Sequence, residues 1–397
     1  MAEAYYLVDA QEKSVYSLVC HFKHFRTRQL LSLIKNNFPN FLKPIIVMIC
    51  FSLLGSCSAE QRPQEAAITV VNSFYDTQEV SFSNPVAKIK LAGSLTLPKG
   101  QGPFPAVILI AGSGSMNRDE ETLKHKPFMV LADHLSRHGI VVLRFDKRGV
   151  GKSEGNFPIA STFDFASDVD AAIHYLRTRV EVDTRNLGLI GHSEGGTIAP
   201  MVAIENNSVQ FIVMMAGSGL RGDQLMLSQT KARDTFLHVT SADSIKKLAL
   251  LEKCLYAVRN SGNPAEAKLA LLPILDSAVA DNLISQPEAK DFLVSYTTAW
   301  FHEFVLYDPL PALRKLNIPI LVLNGSLDMS IPSKQHLPAI KDALSNNQQA
   351  MVQEIPKLNH MFQTAVTGDF SEFGKIEETL SPSAMQIINE WIKRHLK

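Results

Sequence analysis

The chain has 397 residues, 46% hydrophobic and 20% charged, which is enough for one large domain with a sizeable core and an insertion. Its 39 basic and 39 acidic residues cancel. With no basic excess, the composition argues against a nucleic-acid partner. No internal repeat is visible, which excludes a solenoid or a propeller.

The N-terminal segment has the pattern of an export signal. An apolar run, PIIVMICFSLL, covers residues 44–54 after a basic flank. It is shorter than the ~20 residues that span a bilayer. The run ends on LGSC, which resembles a bacterial lipobox with Cys57 as the lipidated residue. We therefore expect an exported, membrane-anchored lipoprotein, periplasmic or at the cell surface; ordinary secretion and an uncleaved anchor are the alternatives.

From about Val80 the chain alternates short apolar runs with helical patterns. The segments EVSFSN and KIKLAGSLTLP, in which polar and apolar residues alternate, predict an antiparallel hairpin. Buried strands are predicted at residues 106–110, 140–145, 187–190, 211–215, 318–323 and 351–355, and helices at 123–138, 162–179 and 381–395, with Thr162 capping the second helix. Buried strands separated by helices predict an α/β fold, with a mostly parallel central sheet flanked by helices.

One long stretch interrupts this alternation of strands and helices. Between Gly219 and Tyr307 the sequence shows helical periods and no convincing strand, which indicates an inserted helical cap. The predicted organisation is a leader (1–56), a tether (57–79), a core in two parts (80–218 and 308–397) and the cap between them (219–307).

The sequence GHSEG at Gly191–Gly195 is a candidate nucleophile motif. Alone, G-x-S-x-G is a weak signal, but here it follows an apolar strand and opens a helix. A serine at such a strand-to-helix turn is lifted clear of the sheet, and the helix N-terminus beneath it favours developing negative charge. We therefore predict Ser193 as the nucleophile; the alternative is a glycine-rich turn with an incidental serine.

A serine nucleophile needs a base, and the base needs an orienting acid. His360 follows the last predicted strand, where the base is expected. Asp328 stands just beyond the strand ILVL, where the ligand sites of open α/β sheets lie. The second candidate acid is Asp223, after the strand FIVMM. Asp328 could also be a turn aspartate, and His360 a surface or core histidine.

An oxyanion hole needs two inward-facing backbone N–H groups. The residue after the nucleophile, Glu194, supplies one in this prediction. Ser113, between glycines in the loop after the strand AVILI, supplies the other, with its placement uncertain by one residue. The polar cluster at 117–120 (NRDE) either touches the substrate or, more simply, caps the following helix.

Five segments together resemble the α/β-hydrolase superfamily: AGSGSMNRDE (111–120), RFDKRGVGKS (144–153), GHSEGG (191–196), GSLD (325–328) and NH (359–360). The first and third look most like a bacterial serine esterase subgroup. The resemblance implies cleavage of small-molecule carboxylic esters through an acyl-serine, with Ser193, Asp328 and His360 as the triad. We expect no cofactor, and no metal because no Cys or His cluster has ligand spacing.

Other functions use the same residues. A small-peptide hydrolase or a thioesterase could use this triad, although the stretch before the first buried strand is too short for the propeller of prolyl-oligopeptidase-type enzymes. A non-enzymatic, lipid-anchored binding protein would not need Ser193, Asp328 and His360 together. Oligomeric state and natural substrate cannot be read from this sequence.

Overall fold

A computed structural model of the chain describes residues 74–397, and its centre is one eight-stranded sheet. The order across the sheet is β1-β2-β4-β3-β5-β6-β7-β8. The strands are β1 (Tyr75–Asn84), β2 (Ile89–Pro98), β3 (Phe104–Ile110), β4 (Val141–Phe145), β5 (Val182–His192), β6 (Phe211–Met215), β7 (Ile320–Gly325) and β8 (Ala350–Ile355). The pairs β1–β2 and β2–β4 are antiparallel, and the other neighbours are parallel.

Helices cover both faces of the sheet. They are α1 (Pro127–Arg137), α2 (Thr162–Arg177), α3 (Glu194–Ala203), α4 (Gly222–Phe236), α5 (Ala242–Arg259), α6 (Pro264–Ala280), α7 (Gln286–Tyr296), α8 (Ala299–Leu306), α9 (Leu310–Lys315), α10 (Ser333–Ala343), α11 (Phe370–Phe373) and α12 (Pro382–Arg394). Alternate side chains of the central strands enter two hydrophobic clusters, one containing Ile108 and Leu189, the other Val107 and Ile190. This two-sided burial explains why those strands read as continuous apolar runs.

The predicted fold class is confirmed, with local differences at element boundaries. The first strand begins at Tyr75, before the predicted hairpin, because its whole length pairs with β2; its early residues are mostly polar and exposed, so no apolar alternation marked them. Helix α1 begins at Pro127 instead of residue 123, since Leu123 and Lys124 have positive φ angles. The cap of α2 is Ser161, whose side chain forms a reciprocal capping box with Asp164, so the expectation of Thr162 was wrong by one residue.

Helices α4 to α8 lie between β6 and β7 and are called the cap below (residues 222–306). Within residues 74–397, no helix is both long enough and apolar enough to cross a bilayer. The proposed leader, the lipidation site Cys57 and most of the tether lie outside the described residues.

Candidate active site

Ser193 occupies a sharp turn between β5 and α3. Its backbone has φ 55° and ψ −116°, a conformation that costs energy for a residue with a Cβ and is typical of functional turns. The Ser193 amide donates to the carbonyl oxygen of Met215 at 2.8 Å, which fastens the turn to the end of β6. The turn therefore presents its side chain at the carboxyl edge of the sheet.

The two glycines that flank the turn are required by close backbone contacts. A Cβ on Gly191 would lie 1.9 Å from the carbonyl oxygen of Gly195. A Cβ on Gly195 would lie 2.0 Å from the carbonyl oxygen of Ile110. Both distances are far below van der Waals contact, so only glycine fits, as the G-x-S-x-G pattern predicts.

The structure places Asp328 against the imidazole of His360. Asp328 Oδ2 lies 2.9 Å from His360 Nδ1, and its Oδ1 accepts the amides of Ser330 and Ile331 at 2.8 and 2.7 Å. Asp328 follows β7 and His360 follows β8, so neighbouring parallel strands deliver both to one edge. The carboxylate is held in place by the chain and orients the ring through Nδ1, while Nε2 makes no hydrogen bond within residues 74–397.

The alternative acid, Asp223, is engaged elsewhere. Its two carboxylate oxygens accept from Arg221 at 2.8 and 2.9 Å, and Arg259 approaches one of them at 3.1 Å. Those arginines hold the pKa of Asp223 low, although burial alone would raise it. The structure thus brings Asp328, and not Asp223, to His360.

Two backbone N–H groups beside Ser193 have no hydrogen-bond partner in the described part of the chain: those of Ser113 and Glu194. Glu194 is the first residue of α3, where the N–H groups have no intrahelical acceptor. The loop after β3 lies against the turn, since a Cβ on Gly112 would come 3.1 Å from Ser193 Cβ. The Gly112 amide itself donates to Glu120 at 2.6 Å.

Sequence reasoning missed the contribution of Glu120 and His192. Glu120 is buried at a positive φ of 52°, and its Oε1 lies 2.9 Å from His192 Nδ1. The other ring nitrogen of His192, Nε2, lies 2.9 Å from the carbonyl oxygen of His360. A glutamate in the loop after β3 and a histidine at the second position of the motif were the available signals, but neither indicates a partner by itself.

The side chain of Glu194 ties the turn to the cap. Its carboxylate accepts from Lys147 at 3.0 Å, from Thr162 at 2.7 Å and from the indole of Trp300 in α8 at 2.7 Å. Burial raises the pKa of Glu194, but Lys147 and these hydrogen bonds outweigh it and hold the pKa below its usual value. Lys147 also lies 4.1 Å from the centre of the Phe165 ring.

The side chains of the polar cluster at 117–120 do not cap α1, but the backbone carbonyl oxygen of Asp119 accepts the amide of Phe128 in the first turn of that helix at 3.2 Å. The N-cap of α1 is Lys126, with no side-chain cap. Arg118 instead binds Asp146 with two hydrogen bonds of 3.1 and 2.8 Å, and Asp119 pairs with Arg144. These bonds join the loop after β3 to the end of β4 and to the residue that follows it, because opposite charges from the two segments meet there.

No group of three or more His, Cys, Asp or Glu side chains is arranged to hold a metal ion among residues 74–397.

Comparison with known proteins identifies the family. A family profile described as serine aminopeptidase, S33, matches residues 125–364, more than half of the chain. Esterase EstD of Thermotoga maritima is 26% identical over 271 residues, which cover 68% of this chain and 58% of EstD. The chain therefore spans less than two thirds of that relative. An uncharacterized 31.7 kDa protein of Escherichia coli is 20% identical over 308 residues, 77% of this chain and 96% of that protein.

Solved structures share the fold. The α/β hydrolase GrgF from Penicillium sp. sh18 has a TM-score of 0.50 at 17% identity, covering 81% of this chain and 99% of its own. Esterase Pf2001 of Pyrococcus furiosus has a TM-score of 0.51 at 15% identity, covering 81% and 92%. With this fold and the match over residues 125–364, the chain belongs to the serine aminopeptidase S33 family of α/β-hydrolases.

Proposed function

We propose that this hydrolase cleaves small-molecule carboxylic esters through an acyl-serine intermediate. One observation carries the proposal: the Asp328–His360 pair is held at the same sheet edge as the strained turn of Ser193. Two backbone N–H groups without partners adjoin that turn, at Ser113 and Glu194. The similarity to a protein named esterase EstD supports an ester substrate.

In the proposed mechanism, His360 Nε2 takes the proton of Ser193 Oγ as that oxygen attacks the ester carbonyl. Asp328 keeps the proton of the ring on Nδ1 and stabilises the imidazolium. The N–H groups of Ser113 and Glu194 receive the developing oxyanion. The alcohol leaves with a proton from His360, and water activated by the same ring then releases the acid.

The hydrogen bond between base and nucleophile closes on substrate binding in this proposal. Neither Nε2 of His360 nor Oγ of Ser193 bonds to another group in residues 74–397. Catalytic hydrogen bonds are often long in the absence of substrate and tighten in the complex.

A fluorophosphonate probe and a set of p-nitrophenyl esters of different acyl length test the proposal. The protein should form a stoichiometric adduct at Ser193 and hydrolyse the esters, and Ser193→Ala should do neither. Absence of both reactions in folded wild-type protein would refute the proposal and favour a lipid-anchored binding protein with an inactive site.

Peptide hydrolysis is the second candidate, favoured by one buried carboxylate oxygen. Oε2 of Glu303 in α8 has no hydrogen-bond partner among the described residues. Glu303 lies one turn from Trp300, which contacts the turn of Ser193 through Glu194. A buried carboxylate oxygen needs a donor, and the α-ammonium group of a small peptide would supply one.

Aminoacyl-p-nitroanilides decide between the two substrates. If the protein is an aminopeptidase, it hydrolyses the anilides faster than the esters, and Glu303→Gln reduces anilide hydrolysis while ester hydrolysis continues. If the protein is an esterase, Glu303→Gln leaves ester hydrolysis near the wild-type rate and the anilides are poor substrates with either protein. Thioester hydrolysis is read from the same panel with an acyl thioester.

The sequence before the described residues supports an exported, lipid-anchored protein in a bacterial cell. The apolar run at 44–54 and the LGSC segment ending at Cys57 carry this part of the proposal. Metabolic labelling with a radioactive fatty acid should mark the wild-type protein and not Cys57→Ser. Equal labelling of both would refute the anchor at Cys57.

A further inference from the structure

His192 is the buried neighbour of Ser193, and both nitrogens of its ring face oxygen atoms. Nδ1 lies 2.9 Å from Glu120 Oε1, and Nε2 lies 2.9 Å from the carbonyl oxygen of His360. The side chains of His192 and Glu120 are 6% and 3% exposed, so water does not satisfy them. These bonds are therefore part of the fixed structure around the turn.

Three segments of the site meet at this pair. His192 belongs to the end of β5, and its Nε2 holds the backbone of His360 in the loop after β8. Glu120 Oε1 also accepts the amide of Gly112, at 2.6 Å, in the loop that contains Ser113. One imidazole and one carboxylate thus connect the turn of the nucleophile, the loop of the base and the loop of the oxyanion donor.

The chemistry of the partners sets the protonation of His192. A carbonyl oxygen can only accept, so Nε2 carries a proton. As an ionised carboxylate, Glu120 can only accept, so with Oε1 bound to the Gly112 amide and facing Nδ1, that ring nitrogen carries a proton as well. A ring with both protons is an imidazolium, and an adjacent carboxylate stabilises its charge. Burial lowers the pKa of His192, but the charge of Glu120 and the two hydrogen bonds outweigh it and raise the pKa above its usual value.

We propose that His192, as an imidazolium ion-paired with Glu120, is a positioning residue. It holds His360 and the loop that contains Ser113 in place beside Ser193. This inference rests on the catalytic roles proposed above. The pair touches no reacting atom; it acts through the backbone atoms of His360 and Gly112. A displacement of ~1 Å in a catalytic group can cost on the order of 100-fold in rate, so loss of the pair should lower kcat by about that factor.

The protonation state is tested directly in protein labelled with ¹⁵N-histidine. At about pH 7.5, nitrogen shifts and proton couplings should show both ring nitrogens of His192 protonated, with the signals assigned by their loss in His192→Asn. The groups that face this ring are Glu120, His360 and Asp328. A single ring proton on His192 at that pH would overturn the charged pair.

Kinetics test the positioning role. Glu120→Gln removes the charge, and His192→Asn keeps an N–H donor but no titratable ring. Each should lower kcat with a smaller change in KM, and the double variant should be no slower than the slower single variant, because the pair acts as a unit. In wild type, kcat should fall at alkaline pH as His192 loses its proton, and this fall should be absent in His192→Asn. A merely structural role would leave the pH profile unchanged.

His174→Asn is the matched control, because His174 faces Asp170 at 3.4 Å in an exposed pair on α2. It should keep wild-type kcat and pH profile. Wild-type kcat in folded Glu120→Gln and His192→Asn would overturn the positioning role. If wild-type protein neither binds the fluorophosphonate nor cleaves esters, the proposed function is refuted. The ¹⁵N measurement of the His192 ring then still shows whether His192 and Glu120 form an ion pair.

Discussion

The indole Nε1 of Trp300 donates to Oε1 of Glu194 at 2.7 Å, joining the cap to the residue that follows Ser193. The sequence motif predicts a role only for the backbone N–H of Glu194, whereas the structure shows that its carboxylate also anchors α8. The cap and the turn of Ser193 are therefore joined through one buried carboxylate.

Trp300→Phe should loosen the cap. Phenylalanine keeps the ring stacked on Phe304, at 5.1 Å between centroids, and loses only the N–H donor to Glu194. A hydrogen bond to a charged group contributes about 1.5–3 kcal/mol, so the free energy of unfolding should fall by that amount and the cap should be cleaved faster in limited proteolysis. Thr162→Val removes the other donor to the same oxygen, at 2.7 Å, and should destabilise the protein without faster cleavage of the cap. Equal proteolysis of wild type and Trp300→Phe would contradict the anchor.

Lys147→Met should be strongly destabilising at neutral pH. It leaves the buried carboxylate of Glu194 without its cation, a loss of about 3–5 kcal/mol. A carboxyl whose folded pKa is lowered contributes stability above its unfolded pKa and loses it as the pH falls through the folded pKa. The deficit of Lys147→Met in urea unfolding should therefore shrink toward acid pH. The double variant with Glu194→Gln should recover much of the loss; failure to recover would argue that Lys147 acts mainly by packing on Phe165.

Asp328→Asn should retain the fold and lose most of the activity. The amide cannot act as the anionic partner of His360 Nδ1, so the tautomer of the ring changes, and kcat should fall by about 10⁴-fold. Asp223→Asn is the control, because its carboxylate is bound to Arg221 and Arg259. It should keep kcat per molecule of folded, probe-reactive protein. A larger loss of kcat in Asp223→Asn than in Asp328→Asn would reverse the assignment of the acid.

The ion pair of His192 and Glu120 should make stability depend on pH with a defined sign. The pKa of His192 is raised in the folded protein above its usual 6.5. Its contribution is therefore fully present below the unfolded pKa and is lost as the pH rises through the folded pKa. The difference in thermal midpoint between wild type and Glu120→Gln should be largest near pH 6 and should decrease at more alkaline pH. A difference that grows with pH would show that His192 is neutral in the folded state.

Arg233→Met should stabilise the protein. All three guanidinium nitrogens of Arg233 in α4 are buried without a hydrogen bond among the described residues, and the carboxylate of Asp234 approaches only to 3.5 Å. Burial lowers the pKa of Arg233, which reports the cost of this charge. Replacement should raise the free energy of unfolding by about 1 kcal/mol. Arg259→Met is the control: it removes a guanidinium bound to Asp223 and should not stabilise the protein. A loss of stability in Arg233→Met as well would contradict the prediction and show that the Arg233 guanidinium has a stabilising partner.

Much of this fold is encoded in local patterns. The strand Phe211–Met215 was predicted with both ends correct, because a strand buried on both faces must be a continuous apolar run. The GHSEG segment indicated a strand-to-helix turn because its glycines admit backbone contacts that a Cβ would block. Helix boundaries that depend on side-chain hydrogen bonds were predicted less accurately. The N-cap of α2 is Ser161 and not Thr162, because two adjacent hydroxyl residues are equally good caps when judged from sequence alone.

The partners within the site were decided only by the tertiary structure. The sequence offered both Asp328 and Asp223 as the acid, and the order of strands β7 and β8 brings Asp328 to His360. It gave no indication that Glu120 faces His192 from 72 residues away, or that Trp300 reaches Glu194 from 106 residues away. Local pattern determines which face of a strand or helix is buried; long-range contacts depend on how the elements pack, so residues distant in the chain acquire their roles only in the folded protein.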